Sequence, residues 1–116
     1  HANQSIVGRV AYSTSKAAIG GLMRSLSLEL AYLNIRVNSI IAGAIWSDRW
    51  EKQTPEQTTQ RRLKYPAGRE SSTGEIAHAV AFLCDEESAT ITGTELTVDS
   101  GISICLLPYQ RDWHKE

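Results

Sequence analysis

Residues 12–41 read YSTSKAAIGGLMRSLSLELAYLNIRVNSII, and this stretch decides the fold class. Ile19, Leu22, Met23, Leu26, Leu30 and Leu33 recur at steps of three and four, so they lie on one stripe of a long helix running from Tyr12 to Leu33. Asn34 ends that helix. Ile35–Ile41 follows, short and β-branched, and Gly43 bounds it; it reads as a buried strand. A long amphipathic helix running straight into such a strand is one unit of an α/β fold.

Working outward, residues 46–70 are polar, contain Pro55 and Pro66, and form an excursion off the core. A short helix is predicted over residues 55–64, with Pro55 in its first turn. Ser72 followed three residues later by Glu75 is a capping box. The helix it opens carries Ile76, Ala79, Val80 and Leu83 on its buried face, with Cys84 as a small core residue and His78 on the solvated side. After Thr92-Gly93, the apolar Leu96 and Val98 alternate with Glu95, Thr97 and Asp99, which marks a second strand.

Helices alternating with short strands imply parallel pairing, because parallel strands cannot be joined by tight turns. Two strands and two helices do not complete such a sheet. Apolar surface is left without a partner in this chain, and the remaining strands are expected from elsewhere.

The 116 residues carry 12 Lys and Arg, 13 Asp and Glu and a formal charge of -1, with no basic cluster. That balance disfavours nucleic acid and anionic membrane surfaces as partners. Cys84 and Cys105 are far apart and lack paired-ligand spacing, so no metal site is expected. A reducing, cytoplasmic compartment fits this cysteine usage. No apolar run is long enough for a membrane span, and the first residues show no secretion signal.

Tyr12 and Lys16 are four apart on the first helix and share a face. A phenol is a poor proton donor or acceptor at neutral pH, and a neighbouring ammonium favours its ionised form, so this spacing suits acid–base catalysis. Taken alone, the pair reads rather as two solvated side chains on the helix surface.

Its surroundings change that balance. Tyr12-Ser13-Thr14-Ser15-Lys16-Ala17-Ala18 resembles the Tyr-x-x-x-Lys helix of the short-chain dehydrogenase/reductase family. In the family's order follow Asn34–Ile40, then Ala42-Gly43-Ala44-Ile45-Trp46-Ser47, which is similar to its turn beside the nicotinamide. Pro66-Ala67-Gly68-Arg69 with Gly74–Ala77, Ala81–Cys84 and Ile91–Gly101 resemble the closing segments.

The resemblance implies the C-terminal portion of a Rossmann-type doubly wound parallel sheet, incomplete in this chain. Residues 1–104 would belong to the C-terminal half of the NAD(P)-binding domain, with a substrate lid at about 46–70 and a tail over 105–116. Tyr12 would act as general acid/base, and Lys16 would support it and hold the nicotinamide ribose. Cofactor contacts carry over to Ala42, Gly43, Ile45 and Ser47. Trp46 and Trp50 fall in the lid, where they line a pocket or simply pack it. Arg61, Arg62 and Lys64 read as a solvated helix face.

Ala42 stands where the family has proline, and Ser100 where it often has glycine. The phosphate loop, the residue choosing NAD or NADP, and the family's Ser and Asn all precede the tyrosine. That serine would fall about a dozen residues upstream, and Ser5 is too close to replace it. The N-terminal half is therefore expected upstream in a longer protein. The implied activity is hydride transfer between NAD or NADP and a small secondary alcohol or carbonyl, by a homo-oligomer (dimer or tetramer). The alternative is a truncated, catalytically incompetent fragment acting only in subunit association, through the stripe Ile19, Leu22, Leu26 and Leu30 and the closing strand; the tail with Trp113 is longer than that strand needs and would pack on a neighbouring subunit.

Overall fold

In the computed structural model, which describes residues 7–106, 108 and 109, helix α1 spans Val10–Glu29. A single 3-10 turn, Ala31–Leu33, continues it. Asn34 then adopts a left-handed conformation, with φ 59° and ψ 27°, and its amide donates to the carbonyl of Ala31. Asn tolerates this region better than most residues, so it stops the helix where a β-branched residue would strain.

The face that α1 buries follows the expected stripe only in part, with Met23 buried and Leu26 and Leu30 half-buried. Gly20, Met23 and Ser27 are its buried residues, whereas Ile19 and Leu22 are about half exposed. Small side chains decide this. A Cβ on Gly20 would lie 2.7 Å from a Glu95 carboxylate oxygen, and one on Gly93 would lie 3.0 Å from Ser27 Oγ. Close approach at these positions seats Met23, and the larger residues stay on the open side.

Strand β1, Ser39–Ala42, begins four residues later than the apolar run suggests. Over 35–38 side chains take part in the pairing, beside a backbone bond from the amide of Gly93 to the carbonyl of Val37. The amide of Val37 donates to Thr92 Oγ1, and the Asn38 amide group donates to the carbonyl of Ile91 while accepting from the amide of Thr94. Its residues are half-buried rather than buried, with Ala42 exposed. Strand β2 is Glu95–Val98. The amide of Ser39 donates to Thr94, and that of Gly43 to Val98; four residues on in one strand match four in the other, so the pair is parallel. The sheet contains these two strands among the described residues.

Between the strands come a 3-10 turn at Asp48–Trp50, helix α2 at Pro55–Arg62 and helix α3 at Thr73–Cys84. A capping box starts α2, with Thr54 and Gln57 satisfying each other's amides, followed by Pro55 in the first turn. The expected box starts α3: the amide of Glu75 donates to Ser72 Oγ, and that of Ser72 to the Glu75 carboxylate.

Of the α3 face, Leu83 is buried, Ile76 and Ala79 are half-buried and Val80 is 45% exposed. Cys84 is exposed, contrary to its reading as a core residue. It lines a cavity of about 460 Å³ with Asn34, Arg36, Asn38, Ile40, Val80 and Leu83, and no described segment fills that groove. His78 is exposed, as expected.

The contacts divide the chain into two units. One comprises the described residues up to Ile41 with Val80–Leu96; the other comprises Ala42–Ala79 with the described residues from Thr97 on. Met23 and Leu83, both in the first unit, are the buried hydrophobic residues among those described. No helix there is long and apolar enough to cross a membrane. His1, Ser5, Trp113 and most of the proposed tail lie outside the described residues.

Candidate functional site

In the first unit, α1 brings Tyr12 and Lys16 together. One turn of helix separates them, and Lys16 Nζ lies 5.6 Å from the centroid of the Tyr12 ring. Tyr12 is 44% exposed and Lys16 is exposed, so the pair stands on an accessible face of the helix. Ser15 donates its hydroxyl to the carbonyl of Tyr12 at 2.8 Å, which turns that side chain back onto its own helix. The pair therefore offers a phenol with a cation over its ring, an arrangement suited to moving a proton.

The turn from Ala42 to Ser47 lies in the second unit. Ala42 is the exposed last residue of β1. Gly43 sits so close to Asp99 that a Cβ would lie 2.8 Å from the Asp99 Cα, which is backbone and cannot swing aside. Asp99 is itself fixed. It is buried, and its carboxylate accepts from the amides of Gly101 and Ser103, both at 2.9 Å. Burial pushes this carboxyl up, but the hydrogen bonds from Ser103 and Gly101 outweigh it and hold it below its ordinary range.

On its far side the turn is held by Ser71. Ser71 donates its amide to the carbonyl of Ala44 and accepts from the amide of Trp46, forming an isolated parallel bridge opposite Ile45. Backbone groups alternate in direction along extended chain. With Ala44 and Trp46 turned toward Ser71, Ile45 presents its own N–H and C=O away from it. This is a donor and an acceptor side by side, matching the C=O and NH2 of a carboxamide. Ser47 is extended and precedes the 3-10 turn without a capping bond from its side chain. The residues present thus fit the nicotinamide end of a dinucleotide.

The two tryptophans expected in the lid differ in their surroundings. Trp46 is 41% exposed. Trp50 is half-buried, with the Arg61 guanidinium 4.1 Å and that of Arg49 5.0 Å from its ring.

Arg61 is not a solvated residue of the α2 face. Its side chain is 14% exposed, and it meets Glu70, which is 2% exposed, at 2.7 Å. Arg62 reaches the same carboxylate at 3.0 Å. Burial pushes the Glu70 carboxyl up, yet hydrogen bonds from Arg62 and Arg61 prevail and bring it down to about 2. Nothing periodic announces this cluster: its partners stand eight and nine residues apart across a loop, a spacing that no helix or strand repeats. The one available signal was a lone acidic residue directly ahead of the Ser72–Glu75 capping box.

Comparison with known proteins places these features in context. A family model described as Enoyl-(Acyl carrier protein) reductase matches residues 1–103. An uncharacterized oxidoreductase of Schizosaccharomyces pombe is 38% identical over 83% of this chain and 38% of its own length. A glucose 1-dehydrogenase of Gluconobacter oxydans is 40% identical over 80% of this chain and 36% of its own. Among solved structures, an acetoin dehydrogenase from Enterobacter cloacae superposes with TM-score 0.80 at 33% identity, over 95% of this chain and 42% of that one. The chain spans less than half the length of these relatives. The fold is accordingly part of a Rossmann-type sheet, and the chain belongs to the short-chain dehydrogenase/reductase family.

Proposed function

We propose that this chain is the proton-transfer half of an NAD(P)-dependent oxidoreductase that interconverts a secondary alcohol and its carbonyl. The observation that carries the reading is Lys16 Nζ set 5.6 Å from the Tyr12 ring on an accessible helix face. In the oxidative direction Tyr12 accepts the substrate hydroxyl proton through its phenolic oxygen; in reduction it returns that proton to the carbonyl oxygen. Lys16 places a positive charge where negative charge develops on the phenolic oxygen, and it holds the nicotinamide ribose. Ile45 orients the carboxamide through its N–H and C=O. Ala42 and Gly43 shape the start of the turn, and the Ser47 hydroxyl would contact the pyrophosphate of a bound cofactor. The nicotinamide, when bound, takes or gives the hydride, and the protein supplies orientation and proton control.

The names of the relatives, a glucose 1-dehydrogenase and an acetoin dehydrogenase among them, agree with alcohol and carbonyl chemistry. In this reading the protein is a cytoplasmic homo-oligomer, and the 1–104 stretch, its lid and its tail are parts of one larger nucleotide-binding domain. In the full-length protein, Tyr12→Phe retains cofactor binding and loses turnover by about 10²–10⁴-fold, the usual contribution of a general acid/base. Unchanged turnover sinks the assignment.

A second reading, of a piece that serves only in subunit association, is favoured by the exposed Ile19 and Leu22 on α1 and by the two buried hydrophobic residues of the described chain. Titrating the 116-residue chain with NADH while following fluorescence separates the two. Tight binding by this chain alone argues against the association-only reading.

A further inference from the structure

In the second unit the segment between the turn and α3 is not held by a core, since the buried hydrophobic residues among those described both lie in the first unit. Charge holds it instead. Glu70 accepts from Arg61 through both terminal nitrogens, at 2.7 and 3.4 Å, and from Arg62 at 3.0 and 3.3 Å. Arg61 also donates its Nε to Gln53 Oε1 at 2.9 Å, and its plane faces the Trp50 ring at 4.1 Å. One guanidinium therefore ties together the 3-10 turn ending at Trp50, the loop at Gln53, helix α2 and Glu70. The next residue, Ser71, is buried and bonded to the backbone on both sides of Ile45. A continuous line of contacts leads from Trp50 through Arg61 and Glu70 to the turn that presents Ile45.

An enclosed ion pair is a costly way to fill space, because both charges lose water, and an apolar side chain at position 70 would pack as well. What a carboxylate between two guanidinium forks adds is direction. The bidentate geometry of Arg61 fixes where the lid stands, which dispersion contacts alone leave loose.

We propose that the Arg61–Glu70 pair is a positioning device that locks residues 46–62, the larger part of the expected lid, against the Ala44–Trp46 turn, with Trp50 as its anchor and the exposed Trp46 as the indole it presents to substrate. The inference rests on the oxidoreductase reading and adds to it the part that sets substrate affinity. Loss of the pair frees the lid, while the turn keeps its hydrogen bonds to Ser71, so substrate binding suffers and cofactor binding does not.

The test compares Glu70→Gln and Arg61→Lys with the unaltered full-length protein. Without substrate, amide hydrogen exchange over residues 46–62 is expected to quicken at least tenfold in both variants, with α1 unchanged. Equal exchange in variant and parent, or equal quickening of α1, overturns the clamp. With acetoin and glucose as probe alcohols and NAD or NADP, the KM for the alcohol rises about tenfold, while the NADH dissociation constant stays within threefold and kcat within threefold. A fall in kcat with KM unchanged also overturns it. Combining Glu70→Gln with Trp50→Ala is expected to be no worse than the poorer single variant, since both break one line of contacts; additive losses contradict that line. If the unaltered protein oxidises neither probe and reduces neither carbonyl product, the substrate part falls with the function reading, and hydrogen exchange still decides the clamp.

Discussion

At the scale of single residues, Glu70 makes acid stability measurable. Its carboxyl titrates near 2 in the fold against an ordinary 4.5. A depressed value means that the stabilisation is complete above about pH 4.5 and is lost as pH falls toward 2, where the folded carboxylate also takes up its proton. The shift corresponds to about 3 kcal/mol. Urea unfolding at pH 6 and pH 3 should show the unaltered protein losing about 2 kcal/mol more across that interval than Glu70→Gln; parallel losses contradict the account. Gly43 offers a second residue test. Because a Cβ there meets Asp99 backbone at 2.8 Å, Gly43→Ala is expected to cost about 1–3 kcal/mol and to weaken NADH binding, both readable by thermal shift with and without nucleotide. Glycine is required here by close approach, a reason that the turn's resemblance to its family does not itself supply.

Among the elements, those with a local code agreed well with expectation. The helical stop at Asn34, the Ser72–Glu75 box and the place of β2 after Gly93 are all set by neighbours within four residues. Features that depend on distant partners were not legible. β1 starts late because Val37 and Asn38 pair with residues some fifty-five positions away, and Ile35 looks the same in sequence whether or not it joins a ladder. The buried face of α1 turns toward Gly20 and Ser27 because Glu95 and Gly93 approach there. Likewise the Tyr12–Lys16 pair was legible, being one helical turn apart, whereas the Arg61–Glu70 contact was not. The left-handed Asn34 yields a prediction at this scale: Asn34→Ala lowers stability by about 1 kcal/mol and Asn34→Gly changes it by only a few tenths, as read by denaturant midpoints. Equal effects of Ala and Gly would show that the cap does not depend on its left-handed backbone.

For the whole molecule, the expectation that two helices and two strands leave apolar surface uncovered accords with the exposure of Ile19, Leu22, Leu28, Val80 and Phe82. Such surface in a 116-residue chain predicts self-association: sedimentation velocity of the isolated chain should give a weight-average mass that rises with concentration, and a strictly monomeric species up to 100 μM, roughly a hundredfold above typical micromolar association, would count against it. The chain matches less than half of each relative described above. Tyr12 and Lys16 and the turn from Ala42 to Ser47 are all within it, the pair in the first unit and the turn in the second.

The central claim is that Tyr12 moves the proton, and one comparison tests it most directly. Single-turnover kinetics of full-length protein with saturating cofactor, for the unaltered tyrosine and for Tyr12→Phe, should show equal cofactor affinity and a hydride-transfer rate lower by about 10²–10⁴-fold in the variant. A variant that transfers hydride as fast as its parent would contradict the claim.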